Sequence, residues 1–138
     1  MDQALRIRHD WLAIAAISYL AANLLHGADH IRQELAGVNV AVATGGAMLT
    51  AAGVAAVLIA LRNDPRTPLV ATIVGFAAAI LVAGAHLAPH WSVLSDSYVD
   101  DIHVDALSWA VVLLEIAAAL FLGAVGLYRT ASRPQHAS

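Results

Sequence analysis

The sequence predicts an all-α integral membrane protein, a four-helix bundle with up-down topology and both termini in the cytoplasm. Composition is the first reason: of 138 residues, 60% are hydrophobic and only 12% are charged. A soluble domain of this size cannot bury so much apolar surface. Length is the second reason, because four apolar stretches reach or approach the roughly 20 residues that a helix needs to cross a bilayer. We expect one transmembrane domain over residues 1–138.

The four predicted spans cover about residues 11–31, 38–61, 69–88 and 106–128. The first is uninterrupted only to Leu25, so a full crossing includes the histidines and the aspartate that follow it. The third is expected to end beside Pro89, because proline lacks the N–H that continues a helix. Short connections favour antiparallel neighbours, which gives the up-down order.

The arginines predict the orientation. In an up-down bundle, the two tails and the 62–68 connection lie on one side and carry six of the seven arginines, and the other side carries Arg32 alone. Cytoplasmic segments of membrane proteins are enriched in basic residues. We therefore expect a multi-pass protein of the cell membrane with the 89–104 segment outside.

Under this topology, five of the seven histidines gather near the extracytoplasmic face. With two aspartates they form the candidate ligand set: His26, His30, His86, His90, His103, Asp29 and Asp105. His26 and His30 are four residues apart, which places them on one helical face, and His86 and His90 have the same spacing. Imidazole and carboxylate suit Zn, Fe, Ni, Mn or Cu(II). The pattern predicts a transition-metal site. Asp96 is expected in a solvated loop instead.

Further polar residues lie deeper within the predicted spans. Tyr19 and Asn23 extend the first histidine stripe, and Ser108 and Glu115 share a face of the fourth helix. Such residues are costly at membrane depth, so they usually face the bundle interior and serve a purpose. Glu115 is interpreted either as part of a proton or ion path or as a protonated donor in a hydrogen bond between helices.

The second span carries a ridge of small residues, formed by Ala43, Ala47, Ala51 and Ala55. Such ridges let helices approach closely in lipid. We expect the ridge to pack inside the bundle rather than to form a dimer face. The lipid bilayer is the expected partner, with a homo-oligomer or a larger membrane complex as further possibilities. The net charge of −3 and the lack of a basic cluster argue against nucleic acid.

The paired histidines resemble two groups of membrane proteins. In membrane cytochromes b, histidines from facing helices clamp a haem, so this resemblance implies haem b. Membrane hydroxylases with short histidine boxes hold two irons, although HGADH and HLAPH lack boxes of the HxxHH type.

The function that we predict is a small membrane protein holding a non-haem transition metal at its extracytoplasmic face. The ion would serve metal handling or metal-dependent chemistry. Two alternatives stay open. One is a redox subunit linked to haem b or quinone, and the other is an accessory or transporter subunit with a proton or ion path through Glu115. The residues do not decide whether the protein is an enzyme.

Overall fold

The computed structural model describes residues 2–33, 40–101 and 104–132, with side chains from residue 11 onward. These ranges contain four α-helices and no strand: α1 (Asp2–Arg32), α2 (Val40–Leu61), α3 (Thr67–His86) and α4 (Ala106–Ala131). Each is long and apolar enough to cross a membrane, the first of them over Trp11–Arg32. The predicted all-α class with four potential spans is therefore confirmed.

Both ends of α3 and the end of α4 differ from the predicted spans. Helix α3 begins at Thr67 rather than at residue 69, with Pro68 in its first turn. A proline is tolerated there because the first N–H groups of a helix have no partner within it. Helix α3 also ends at His86, before the predicted residue 88. Helix α4 continues to Ala131, beyond the predicted residue 128.

Consecutive helices pack against one another, and α4 closes the bundle by packing against α1. The end of α1 meets the start of α4, where Arg32 Nη2 donates a hydrogen bond of 3.0 Å to Ser108 Oγ. The end of α3 meets the same place, because the His26 and His86 rings lie 4.7 Å apart. These contacts are the ones that an up-down order requires. The order itself and the cytoplasmic position of the termini stay predictions.

Helices α3 and α4 form the most extensive interface of the bundle. A Cβ atom added at Gly75 would lie 2.2 Å from the main-chain nitrogen of Gly123. One added at Gly126 would lie 2.5 Å from the main-chain nitrogen of Thr72. The two backbones are therefore in direct contact, which only glycine permits at these positions.

The interior of the bundle is built from small side chains, and its outer surface from large apolar ones. Ala15, Ala78 and Ala119 are fully buried, whereas Leu24 and Leu113 are about half exposed. Buried polar side chains concentrate where α1 and α3 end and α4 begins. This distribution suits a lipid environment, in which apolar side chains face outward and polar ones face the bundle interior.

The expectation that the alanine ridge of α2 packs inside the bundle is wrong. All four of its residues are exposed: Ala43, Ala47, Ala51 and Ala55. The face of α2 that is buried contains Gly53, Ala56 and Ala60. Helix α2 turns this face inward because the bulky ring of Tyr19 packs on it, within 3.1 Å of where a Cβ of Gly53 would stand.

The predicted orientation can be measured with single cysteines, because the chain has none of its own. Val99 and Arg62 are both exposed, and they lie in the connections on opposite sides of the predicted bundle. An impermeant thiol reagent added outside cells should label Val99→Cys and not Arg62→Cys. Both variants should react once the membrane is dissolved in detergent. Labelling of Arg62→Cys alone in intact cells would invert the orientation.

Candidate metal centre

Three histidines from two helices meet at the polar end of the bundle. His26 and His30 stand one turn apart near the end of α1, and His86 is the last residue of α3. One candidate ligand atom from each residue lies within 4.8 Å of those of the other two. The ring centroids are 4.6 Å apart for His26 and His30, and 5.4 Å apart for His30 and His86. His26 and His86 are buried, and His30 is half-buried.

The spacing of the three rings suits a single ion. Imidazole nitrogens bind zinc at about 2.0–2.1 Å in tetrahedral geometry, so two of them on one ion stand about 3.4 Å apart. Separations of up to 4.8 Å therefore have to shorten by up to about 1.4 Å on coordination. The His26 and His86 rings touch each other, and contact of this kind leaves no slot for the plane of a haem between them.

Glu115 holds the first of these rings. Its fully buried carboxylate lies with Oε2 against Nδ1 of His26, and its Oε1 accepts a hydrogen bond of 2.9 Å from Asn23 Nδ2. The other ring nitrogen of His26, Nε2, is buried and has no hydrogen-bond partner among the described residues. A carboxylate on one nitrogen is the usual outer partner of a histidine that binds metal through the other. Nε2 is therefore the atom that His26 offers to an ion.

Oxygen atoms of Asp96 face Nδ1 of the other two rings. The Nδ1 of His86 lies 2.9 Å from the main-chain oxygen of Asp96. A carbonyl oxygen only accepts, so Nδ1 of a neutral His86 carries the proton and Nε2 carries the free lone pair. The Asp96 carboxylate lies 3.7 Å from Nδ1 of His30. Each of the three rings thus turns Nδ1 towards an oxygen, which is the arrangement that leaves the Nε2 atoms for an ion.

The segment of residues 91–98 folds back over the end of α3 and places Asp96 there. The last carbonyl groups of a helix have no partner within it, and here the segment supplies donors to three of them. Gly84 O accepts from Trp91 Nε1 at 2.7 Å, Ala85 O from Asp96 N at 3.0 Å, and His86 O from Tyr98 N at 2.9 Å. We call residues 91–98 the cap segment. It fixes Asp96 beside the histidines by main-chain hydrogen bonds.

Tyr98 of the cap segment packs on the site. Its ring centroid lies 4.6 Å from that of His86 and 5.8 Å from that of Trp109. Burial raises the pKa of Tyr98 to about 12. The phenol is therefore a neutral hydrogen-bond donor throughout the physiological range.

The polar residues predicted at membrane depth tie three helices together behind the site. Thr50 Oγ1 of α2 donates a hydrogen bond of 2.6 Å to Asn23 Oδ1, and Asn23 in turn donates to Glu115. Tyr19 is fully buried one turn further from the histidines, and its hydroxyl donates to Leu49 O at 3.4 Å. Asn23 and Glu115 therefore act through His26 and hold its ring in place.

Asp29 and Asp105, which the sequence placed among the ligands, are occupied by Arg32. The guanidinium donates to Asp29 Oδ1 at 2.7 Å and to Asp105 Oδ1 at 3.0 Å. Asp105 also begins α4, where it accepts from the Ser108 N–H at 2.9 Å, and this hydrogen bond helps to hold the pKa of its carboxyl below the usual range. Neither carboxylate belongs to the three-histidine group.

Of the other two predicted histidines, His90 lies apart from the group and His103 lies outside the described residues. His86 and His90 have the spacing of one helical face but do not share one, because α3 ends at His86, before Pro89. His90 is exposed, and its main-chain N–H donates to Asp100 Oδ2 at 2.8 Å.

Sequence reasoning missed two residues of the site. Asp96 was expected in a solvated loop, and Tyr98 carried no signal of its own. The structure places both at His86 through the cap segment. Asp96 and Tyr98 pair with the end of α3 through their main-chain N–H groups, which every residue except proline provides. No residue pattern therefore predicted this pairing.

No protein-family model matches this chain, and neither a curated protein nor a solved structure shows significant similarity to it. Its four apolar helices indicate a membrane protein, and three of its histidines are close enough together to hold a metal ion.

Proposed function

We propose that this protein binds one divalent transition-metal ion through His26, His30 and His86, at the extracytoplasmic side of the cell membrane. The unpaired Nε2 of His26, buried beside two further imidazoles, carries the proposal. Leaving a buried polar atom without a partner costs about 1–3 kcal/mol. A metal ion is a partner that such a nitrogen accepts, and the oxygens behind the Nδ1 atoms hold the rings ready for it.

The ligand chemistry narrows the choice of ion. Three imidazoles without a thiolate suit Zn, Fe, Ni, Mn or Cu(II), and the chain has no cysteine. Structural zinc sites are closed by four protein ligands, whereas three ligands leave a position for water or another small molecule. The site therefore fits the handling of an exchangeable ion or chemistry at the open position. Its surroundings are the bilayer, and self-association or assembly into a larger membrane complex is a further proposal.

A metal site accounts for the buried polar groups better than a proton path through Glu115. Hydrogen bonds do link Thr50, Asn23, Glu115 and His26 in a chain. Beyond Tyr19, however, the described core is formed mainly by alanine and leucine, and Thr67 is the one buried polar side chain near its other end. The chain of hydrogen bonds therefore serves one end of the bundle and does not cross it.

The proposal predicts stoichiometric binding that depends on pH. Protein purified without a histidine tag, and offered Zn, Fe, Ni, Mn and Cu(II) in turn, should hold one ion per chain at pH 7.5. Imidazole binds metal in its neutral form, so protons compete with the ion. Free imidazole has a pKa of about 6.5. Binding should therefore be strongest above that value and should weaken as the pH falls below it.

Mass spectrometry of the metal content at each pH provides the measurement. Histidines outside the proposed site, such as His9 and His136, can retain some metal nonspecifically, so the readout is the stoichiometry per chain after exhaustive dialysis. A content well below one ion per chain with every metal would refute the proposed site. A metal content that does not fall at any acidic pH at which the protein stays folded would show that imidazoles are not the ligands.

A further inference from the structure

The cap segment turns apolar side chains outward and polar ones inward. Trp91 is 58% exposed, Val93 67% and Leu94 44%. Ser95 is buried, and the Asp96 carboxylate lies against the histidines of the candidate site. A connection in water exposes polar side chains, whereas an exposed apolar patch marks a surface that contacts protein or lipid. The outer face of this short segment is therefore a contact surface.

Hydrogen bonds within the protein engage most of the main-chain N–H groups of the cap segment. Ser95 Oγ accepts from the N–H groups of Trp91 at 3.0 Å and Ser92 at 3.2 Å. Ser92 accepts in turn from Leu94 through Oγ and from Ser95 through its main-chain oxygen, both at 3.0 Å. Two further N–H groups donate to carbonyl groups of α3. Backbone that is not helical is tolerated at membrane depth only where partners other than lipid satisfy it, and these N–H groups meet that condition.

The segment folds back along α3 to the level of the last helical turn. The Trp91 indole donates to Gly84 O at 2.7 Å, two residues, or about 3 Å along the axis, before the helix ends at His86. Helix α3 has 20 residues, which gives it a length of about 30 Å, the thickness of a hydrocarbon core. Trp91 is thus level with the edge of that core, where tryptophan is enriched in membrane proteins.

The patch on the cap segment continues the outer apolar surface of α3. Ile80 is 71% exposed and lies one turn before Gly84, on the same helical face. Trp91 is attached at that next turn through its indole N–H. Because this N–H is used inside the protein, the exposed part of the ring offers no polar group that needs water. The medium that covers Ile80 therefore extends over the patch.

We propose that lipid covers this patch. The cap segment lies in the bilayer interface at the end of the bundle that holds the three histidines, with Trp91, Val93 and Leu94 against acyl chains. Lipid accounts for the level of Trp91, for the continuity with Ile80 and for the engaged N–H groups, which a partner protein in water would not require. The segment then separates Asp96 and the histidines from the acyl chains. This inference goes beyond metal binding and does not depend on it.

A nitroxide label on a single cysteine tests the proposal in liposomes, because the chain has no cysteine of its own. Molecular oxygen concentrates among acyl chains, whereas chromium oxalate stays in water. At Val93→Cys, the label should collide more often with oxygen than with chromium oxalate. The matched control is Val99→Cys, the same substitution at an exposed valine (56%) just after the segment and beside the exposed Asp100. There the preference should be reversed.

Each other result overturns the proposal. A preference for chromium oxalate at residue 93 would place the segment in water. Low collision rates with both reagents would show that protein covers the patch, as a second copy of this chain or another partner would. If Val93→Cys does not fold, tryptophan fluorescence decides. The emission that is lost in Trp91→Phe should be the part that lipids brominated on their acyl chains quench in the wild type. Quenching of that part by aqueous iodide instead would refute the contact with lipid.

Discussion

Replacing His86 with alanine should abolish stoichiometric metal binding. His86 is the one ligand that α3 supplies to the group, so its loss leaves two imidazoles from a single helix. Loss of an outer partner of a metal ligand already costs about 10–100-fold in affinity. We expect the loss of a ligand to cost more than about 100-fold, measured as the dissociation constant for Zn or Co(II) in a competition titration.

His90→Ala is the matched control. His90 lies four residues further along the same segment, but it is exposed and outside the three-histidine group. Its replacement should leave both affinity and stoichiometry unchanged. If the two variants lose affinity to the same degree, the ions are held by histidines in general and not by the site. If only His90→Ala loses it, the ligand set must be redrawn around the connection that follows α3.

Replacing Gly75 with alanine should prevent the bundle from closing. The added Cβ would lie 2.2 Å from Gly123 N and 2.6 Å from Ala119 O. Both are main-chain atoms, so no side chain can move aside and the two helices must separate. Overpacking in a core typically costs about 1–3 kcal/mol, and a clash with backbone belongs at the top of that range or above it. At roughly 3–4 °C per kcal/mol, the apparent Tm in detergent should fall by about 10 °C or more.

Gly84→Ala is the matched control for Gly75→Ala. It places the same substitution on the same helix, at a position where the added Cβ meets no other atom. Nothing lies within 4 Å of a Cβ added at Gly84, and alanine is the better helix former. Its Tm should therefore stay equal or rise slightly. Similar losses in both variants would mean that glycine is needed along α3 for another reason. An unchanged Gly75→Ala would show that α3 and α4 are not in backbone contact.

The fold was predictable because hydropathy and span length act locally. Four apolar stretches of sufficient length imply four helices whatever their packing. The meeting of His26 with His86 was also predictable, since helical spacing and alternating direction bring the two to one level. The buried face of α2 was not, because alanine and glycine occur on several of its faces. The bulky Tyr19 side chain of α1 determines which face of α2 is buried.

The ligand set was less predictable than the place where it forms. Asp29 and Asp105 have the right chemistry and depth, but one guanidinium, that of Arg32, engages both. His90 has the right spacing, but the helix ends before it. Such outcomes depend on competition between neighbours from different helices. A sequence pattern shows which groups are present and not which pairs form.

The backbone contact between α3 and α4 bears on how the site closes around an ion. These two helices touch through Gly75 and Gly123, with no side chain between them to yield, so we expect them to behave as one body. That body carries His86 at the end of α3 and Glu115 within α4. Helix α1 carries His26 and His30 and contacts α4 through side chains, among them Asn23 and Arg32. Any main-chain movement that accompanies coordination is therefore expected between α1 and the α3–α4 pair, because His26 and His30 lie on the first and His86 on the second.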